Sequence, residues 1–245
     1  MNTSENHQQL TKLKLHGMAK NYQAILQLPV NNQPEGHELL AHLVQAEMQY
    51  RQLQRTRILL KSGKLRYTAS LEKIECSPQR NLTKQQVQQL ADCSFLDRGQ
   101  NILITGATGC GKSFLACALG NQACLLGYKT LYLNMNRFLE KIAQSKIEGT
   151  YLHVLNQLEK IKLLIIDDFG LQPMSQEIKI TLLQILEDRY QLKSTIISSQ
   201  LPTHKWHEYL NEPSLADAIM DRLSANAYRL ELKGESMRRK KENKN

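Results

Sequence analysis

The sequence predicts an α/β fold in which a five-stranded parallel sheet follows a helical N-terminal region. Three observations predict it. Apolar residues recur at helical spacing early in the chain. Beyond residue 100, five short apolar runs alternate with helical segments, the pattern of strands linked by crossover helices. Between the first run and its helix lies Gly106-Ala-Thr-Gly-Cys-Gly-Lys-Ser113, which reads Gly-x-x-x-x-Gly-Lys-Ser, the phosphate-binding loop signature.

The helical region comes first. Leu15, Met18, Tyr22, Ile25 and Leu26 share one helix face, and Pro29 with Asn31-Asn-Gln-Pro34 ends that helix. A second helix is expected over about 35–60, with Leu39, Leu40, Leu43 and Val44 as its stripe and Met48 extending it. Thr83-x-x-Gln86 has the form of a capping box, so a short helix should start at Lys84. The expected division is a helical DNA-binding or oligomerisation region over 1–95, the α/β domain over 96–235 and a basic tail over 236–245.

Strands are expected at 101–105, 129–134, 162–167, 194–199 and 227–232. Right-handed crossovers would bring all their C-terminal ends to one sheet edge, where ligands bind. At that edge the glycines of 106–113 let backbone N–H groups close around phosphate oxygens, and the helix N-terminus adds partial positive charge. Lys112 can reach the β- and γ-phosphates, and the Ser113 hydroxyl can ligate Mg²⁺. Nucleotide contacts are thus expected from Gly106, Ala107, Thr108, Gly109, Cys110, Gly111, Lys112, Ser113 and Phe114.

Lys162-Leu-Leu-Ile-Ile-Asp-Asp-Phe-Gly170 is an apolar strand that carries paired carboxylates to the same edge, as a Walker B strand does. Asp167 would hold Mg²⁺ and Asp168 would orient or deprotonate a water. Ser194–Gln200 should end between these two elements, where Ser199 or Gln200 would sense the γ-phosphate or hold water. Arg222 is either a transition-state arginine directed at a neighbouring subunit's nucleotide or a surface ion pair with Glu231 or Asp217.

Composition narrows the partners. The formal charge is +9, and residues 1–98 carry 13 Lys+Arg against 8 Asp+Glu, a balance of +5. Arg51, Arg55, Arg57, Lys61, Lys64 and Arg66, with Tyr67 beside them, suit a phosphate backbone, although a solvated helix face is the alternative. The polar N-terminus is no signal peptide, and no apolar run has the ~20 residues that span a bilayer. The expected place is the cytoplasm. Cys76, Cys93, Cys110, Cys117 and Cys124 form no Cys-x-x-Cys pair, which argues against a zinc ribbon. His204 and His207 have no evident third ligand, so the segment around Trp206 reads as packing.

Taken together, these stretches resemble the IstB-type helper ATPases of insertion sequences, AAA+ proteins near the DnaC helicase loaders. The resemblance runs through Leu13-Lys-Leu-His-Gly-Met-Ala19, Glu47, both nucleotide motifs, Ser199-Gln-Leu-Pro202, Trp206-His-Glu208, Ala216-Asp-Ala-Ile-Met-Asp-Arg-Leu223 and Leu232-Lys-Gly-Glu-Ser-Met-Arg238. It implies a slow, regulated ATPase with Mg²⁺, double-stranded DNA bound with little sequence preference, homo-oligomers with ATP at subunit interfaces, and a partner transposase. A helicase loader or a nucleotide-gated DNA scaffold with little turnover is the alternative. By position, Gln200 falls at sensor I and Arg222 at the trans-acting arginine, while Asp168 stands where many relatives have Glu. The helices near 136–147 and 151–159 lie where the initiator branch has an extra DNA-contacting helix, which adds Arg137, Lys141 and Lys146 as candidates. Only 13 residues follow the last strand, so a C-terminal lid should be missing, with Arg238 a partial substitute for its sensor arginine.

Overall fold

The computed structural model describes residues 3–237. Arg238 and most of the expected basic tail lie outside the described residues. The chain forms two compact units, Met1–Ile58 and Leu59–Asn245.

The first unit contains α1 (Thr3–Lys12), α2 (His16–Leu26) and most of α3 (Gly36–Gly63). Here the motif around Gly17 acquires a physical role. The N-cap residue of α2, Leu15, offers no side-chain acceptor. The first amides of a helix nevertheless need partners. Glu47 of α3 supplies them: its Oε2 accepts from Gly17 N at 2.7 Å and Met18 N at 3.2 Å, while Oε1 accepts from Arg51 Nε at 2.8 Å. A Cβ on Gly17 would stand 2.4 Å from the Ala46 carbonyl oxygen, so only glycine permits this approach.

The second unit holds α4 (Lys84–Ala91), α5 (Ser94–Asp97), β1 (Asn101–Gly106), α6 (Lys112–Leu125), β2 (Thr130–Asn134), α7 (Met135–Ile147), α8 (Tyr151–Glu159), β3 (Leu163–Phe169), α9 (Gln176–Arg189), β4 (Ser194–Ser199), α10 (Trp206–Leu210), α11 (Pro213–Ser224) and β5 (Ala227–Leu232). All five expected strands are present, parallel, in the order β2-β3-β4-β1-β5. Alternate residues of each strand feed two cores. Ile102, Ile104, Leu163, Ile165 and Ile196 face α6, whereas Leu103, Leu164, Ile166 and Ile197 face the layer containing α7–α11. Such double coverage explains why the strands are near-continuous apolar runs.

The compact units divide after Ile58 rather than near 95. The reason is packing: Ala69, Leu82, Val87 and Leu90 are buried in the α6-side core, and Leu65, Tyr67, Leu71 and Ile74 pack against it. The capping box at α4 forms as expected, with Gln86 N donating to Thr83 Oγ1 at 3.1 Å and Thr83 N to Gln86 Oε1 at 2.8 Å. Arg189 is buried without a carboxylate. Burial pulls its pKa down to about 9, and the carbonyls of Leu158 and Ile161 accept from it at 2.9 and 2.7 Å. Among the described residues, no lid follows β5 and no helix is long and apolar enough to cross a membrane.

Glu47 makes the helical unit sensitive to acid. Burial pushes its carboxyl upward, but Arg51 and the Met18 and Gly17 amides outweigh burial and hold it below the ordinary 4.5. A carboxyl whose folded value is lowered stabilises fully above its unfolded value and loses that contribution as pH falls through the folded one. Glu47→Gln is expected to cost about 2 kcal/mol at neutral pH. It should also flatten the decline in stability below pH 4.5, read by urea unfolding across pH. An unchanged acid decline in the variant would remove Glu47 from this role.

A candidate nucleotide site at the phosphate loop

The site is assembled where β1 ends. Residues Ile102–Ile104 are fully buried or nearly so, and the chain leaves the sheet at Gly106. There φ is +147°, and a Cβ would stand 2.2 Å from the Leu232 carbonyl oxygen of neighbouring β5. Gly111 has φ +93°, conformation that a side chain rarely adopts, and a Cβ there would meet Arg80 Nη2 at 2.7 Å. The loop then enters α6 at Lys112, whose ammonium donates to the Gly106 and Ala107 carbonyls at 2.8 and 2.9 Å.

The acid pair is split by a bulge. The β3–β4 register shifts between Ile166 and Phe169, and Asp168 has φ +61°. Bulges re-aim side chains. The consecutive carboxylates therefore part: Asp167 is 0% exposed, and Asp168 lines the cavity. Asp167 Oδ1 accepts from Ser113 Oγ at 3.0 Å and from the Ser198 hydroxyl, and Oδ2 accepts from Tyr132 OH at 2.5 Å. Three hydroxyl donors offset the large cost of burying a carboxylate. Burial and the neighbouring Asp167 raise the Tyr132 phenol well above its ordinary value.

The cavity has a volume of about 470 Å³ and is lined by Thr108, Gly109, Lys112, Ser113, Asp168 and Gln200, with Arg66, Tyr67, Ile74, Arg80 and Met237 around them. That is the size range of small-molecule sites. Ser113 and Asp167 present hard oxygen donors, the set that suits Mg²⁺ with waters completing its shell. Gln200 Oε1 accepts from Thr108 Oγ1 at 2.8 Å, which fixes β4's end to the phosphate loop. Ser199 is turned away, donating to the Phe169 carbonyl at 2.6 Å, so of that pair Gln200 lines the cavity.

Several expected residues stand elsewhere. Arg66, read as a DNA contact, lies at the acids: its Nη1 is 3.7 Å from Asp168 Oδ2 and 3.9 Å from Asp167 Oδ2. Arg51 pairs with Glu47, and Lys146 pairs with Glu177 and lies 5.0 Å from the Tyr151 ring centroid. Arg55, Arg57, Lys61, Lys64 and Arg137 are exposed, and Lys141 is partly so. Arg222 meets neither Glu231 nor Asp217. It forms a two-pronged pair with Glu187, at 2.6 and 2.9 Å, contacts Asp221 and lies 4.9 Å from the Tyr190 ring centroid. Asp217 accepts instead from His207, and Trp206 is fully buried with Nε1 donating to Leu201 O at 2.9 Å.

With this geometry in view, the similarities to known proteins are specific. The sequence pattern of the IstB-like ATP binding proteins matches residues 8–245. The chain belongs to the IstB-like family. An insertion-sequence ATP-binding protein of Sinorhizobium fredii is 38% identical over 235 residues, covering 96% of both chains. Among solved structures, DnaI overlays with a TM-score of 0.58 at 21% identity, covering 72% of this chain and 93% of that one. The DnaC helicase loader overlays with a TM-score of 0.56 at 18% identity, covering 68% and 98%. These two share the fold of this IstB-like protein, and the family match supports ATP as its nucleotide.

Sequence reasoning missed Tyr132, Ser198 and Arg80. Ser198 lies beside the Ser199–Gln200 pair, whereas Tyr132 and Arg80 stand in no motif, and each of the three reaches the site through tertiary structure. Arg80 is 8% exposed; its Nη2 donates to the Cys110 carbonyl at 2.7 Å and its Nη1 to the Glu75 carbonyl. Its own carbonyl accepts from Lys233 N at 3.0 Å, while Met237 N donates to Gly109 O at 3.0 Å. The phosphate loop is thereby tied to both the preceding and the following chain. Arg80→Ala strands the buried Cys110 carbonyl, worth ~1–3 kcal/mol. It is expected to lower unfolding stability and weaken ATP binding together, measured by urea unfolding and nucleotide titration. Full-strength ATP binding in a folded variant would show that Arg80 does not brace the loop.

Proposed function

We propose that this IstB-like protein is a Mg²⁺-dependent ATPase that assembles on double-stranded DNA in the cytoplasm and prepares it for the transposase of its insertion sequence. The observation that carries the reading is the convergence of Lys112, Ser113, Asp167, Asp168 and Gln200 on one edge of a parallel sheet. It is supported by the family match along residues 8–245.

The residues divide the work by chemistry. Loop amides and Lys112 hold the phosphates, and the Lys112 ammonium exchanges its loop carbonyls for phosphate oxygens. Ser113 and Asp167 would hold Mg²⁺, which would supply charge neutralisation at the phosphates. Asp168, aimed into the cavity by the bulge, orients the attacking water and takes its proton. Because Asp is shorter than Glu, turnover is slow. Gln200 reports the terminal phosphate to the loop through Thr108.

Arg222 serves a neighbouring subunit's nucleotide. Its guanidinium is already planar and paired in two-pronged fashion with Glu187, a geometry that a phosphate reproduces. Arg222→Ala is expected to leave ATP binding by isolated subunits intact and to cut DNA-stimulated turnover by about 10³-fold or more. Steady-state ATPase assays with DNA, alongside nucleotide titration, check this. Undiminished turnover would return Arg222 to an ordinary surface pair.

For DNA, the candidates that keep exposed charge are Arg55, Arg57, Lys61, Lys64, Arg137 and Lys141. Such groups contact phosphates and position the protein without reading bases. Substituting Arg55 and Arg57 by Ala should weaken binding to unrelated duplexes equally and flatten the salt dependence by about one unit of slope per lost contact. Mobility-shift titrations at several salt concentrations measure it, and unaltered affinity would exclude this stretch of α3 from the DNA contact.

A further inference from the structure

We propose that Arg66 is a positioning residue of the nucleotide site: its guanidinium is the resident counter-charge of the Asp167–Asp168 pair, displaced from those carboxylates when Mg²⁺ and nucleotide bind. This deepens the ATPase reading and rests on the cavity being the nucleotide site.

Placement is the first argument. Arg66 follows the end of α3 by three residues, and both of its neighbours are anchored. Leu65 packs against α6, where a Cβ on Gly120 would stand 2.8 Å from its Cδ2. The Tyr67 ring lies 6.2 Å from that of Phe114, the residue after Ser113. The Arg66 guanidinium lies 5.3 Å from the Tyr67 centroid, a cation–π distance that holds it over the acids. The Tyr132 hydroxyl donates to Asp167 Oδ2 at 2.5 Å, the same oxygen that Arg66 Nη1 approaches to 3.9 Å, so cation and phenol meet at one carboxylate atom.

Charge is the second argument. Asp168 lines a cavity built for polyanionic phosphates, and the buried Asp167 carboxylate lies behind its Ser113 wall. Without a cation at the acids, an incoming phosphate meets unscreened like charge. Lys112 is engaged at the loop carbonyls, whereas Arg66 Nη1 stands within 4 Å of both carboxylates. Arg66 and a divalent cation therefore compete for the same oxygens. The guanidinium that Mg²⁺ displaces remains in the cavity wall, half exposed and free to turn toward phosphate.

The test is a pair of titrations on the full-length protein with a fluorescent ATP analogue. One measures analogue affinity in EDTA, and the other measures the Mg²⁺ concentration that gives half-maximal enhancement of binding. Arg66→Ala and Arg66→Gln are expected to weaken affinity in EDTA and to lower the Mg²⁺ midpoint, each by roughly fivefold, the scale of a partly exposed charge pair. Arg66→Lys, which keeps the charge, should restore part of both shifts. A general loss of folding would not move the two readouts in opposite senses. Unchanged EDTA affinity and Mg²⁺ midpoint in the Ala and Gln variants would overturn the proposal, and loss of DNA affinity alone would return Arg66 to the DNA-contact group. Lys112→Ala serves as the separate control for the site: if it bound the analogue as wild type does, the nucleotide reading itself would fall.

Discussion

Everything at the sheet edge depends on burying the Asp167 carboxylate. A buried unpaired charge is among the most costly features a fold can contain. Here the cost is offset by hydroxyls from three separate elements: Ser113 on α6, Tyr132 on β2 and Ser198 on β4. Those donors tie the helix that begins the phosphate loop to the sheet strands beside β3. The metal-binding geometry and the strand order are consequently one constraint. Were β4 not between β3 and β1, Ser198 could not reach Asp167, and Gln200 could not reach Thr108.

The bulge in β3 follows from the same need. Adjacent residues of a regular strand point to opposite faces, which would send Asp168 away from the site. Shifting the register between Ile166 and Phe169 places Asp168 in left-handed backbone and aims it into the cavity. Aspartate tolerates that conformation better than most side chains do, because its short polar group bonds locally. A longer Glu would gain reach toward a water but forfeit some of this tolerance. The shorter acid at this position is thus tied to backbone geometry as well as to its reach into the cavity.

The limits of the sequence are physical. Gly106–Ser113 and the Asp167–Asp168 strand were readable because their chemistry is local: glycine torsions, strand length and a loop before a helix depend on neighbours in the chain. β1 and β3 were readable because a strand covered on both faces demands an uninterrupted apolar run. Arg80 was not readable, since its partner Cys110 is thirty residues away and the intervening path is irregular. Nor was the division after Ile58, because residues 59–95 look helical and basic yet lend Ala69, Leu82 and Leu90 to the sheet's core. The place of Arg66 beside the acids was not readable for a related reason. In a run of cations spaced along a helix end, nothing local distinguishes the one that folds back toward two carboxylates.

That distinction determines what kind of event the nucleotide site can undergo. Leu65 and Tyr67 pin the chain on either side of Arg66 by packing against α6. Movement of the guanidinium from carboxylate to phosphate therefore needs no opening of the chain, only rotation of a long side chain. Such rotations in exposed residues take picoseconds to nanoseconds, whereas segment motions take far longer. In the proposed cycle, charge at the acids would follow nucleotide occupancy without delay, and the slow steps would be the water attack at the short Asp168 and the proposed exchange of Arg222 from Glu187 to a neighbouring subunit's phosphate, which requires two copies of the chain to meet.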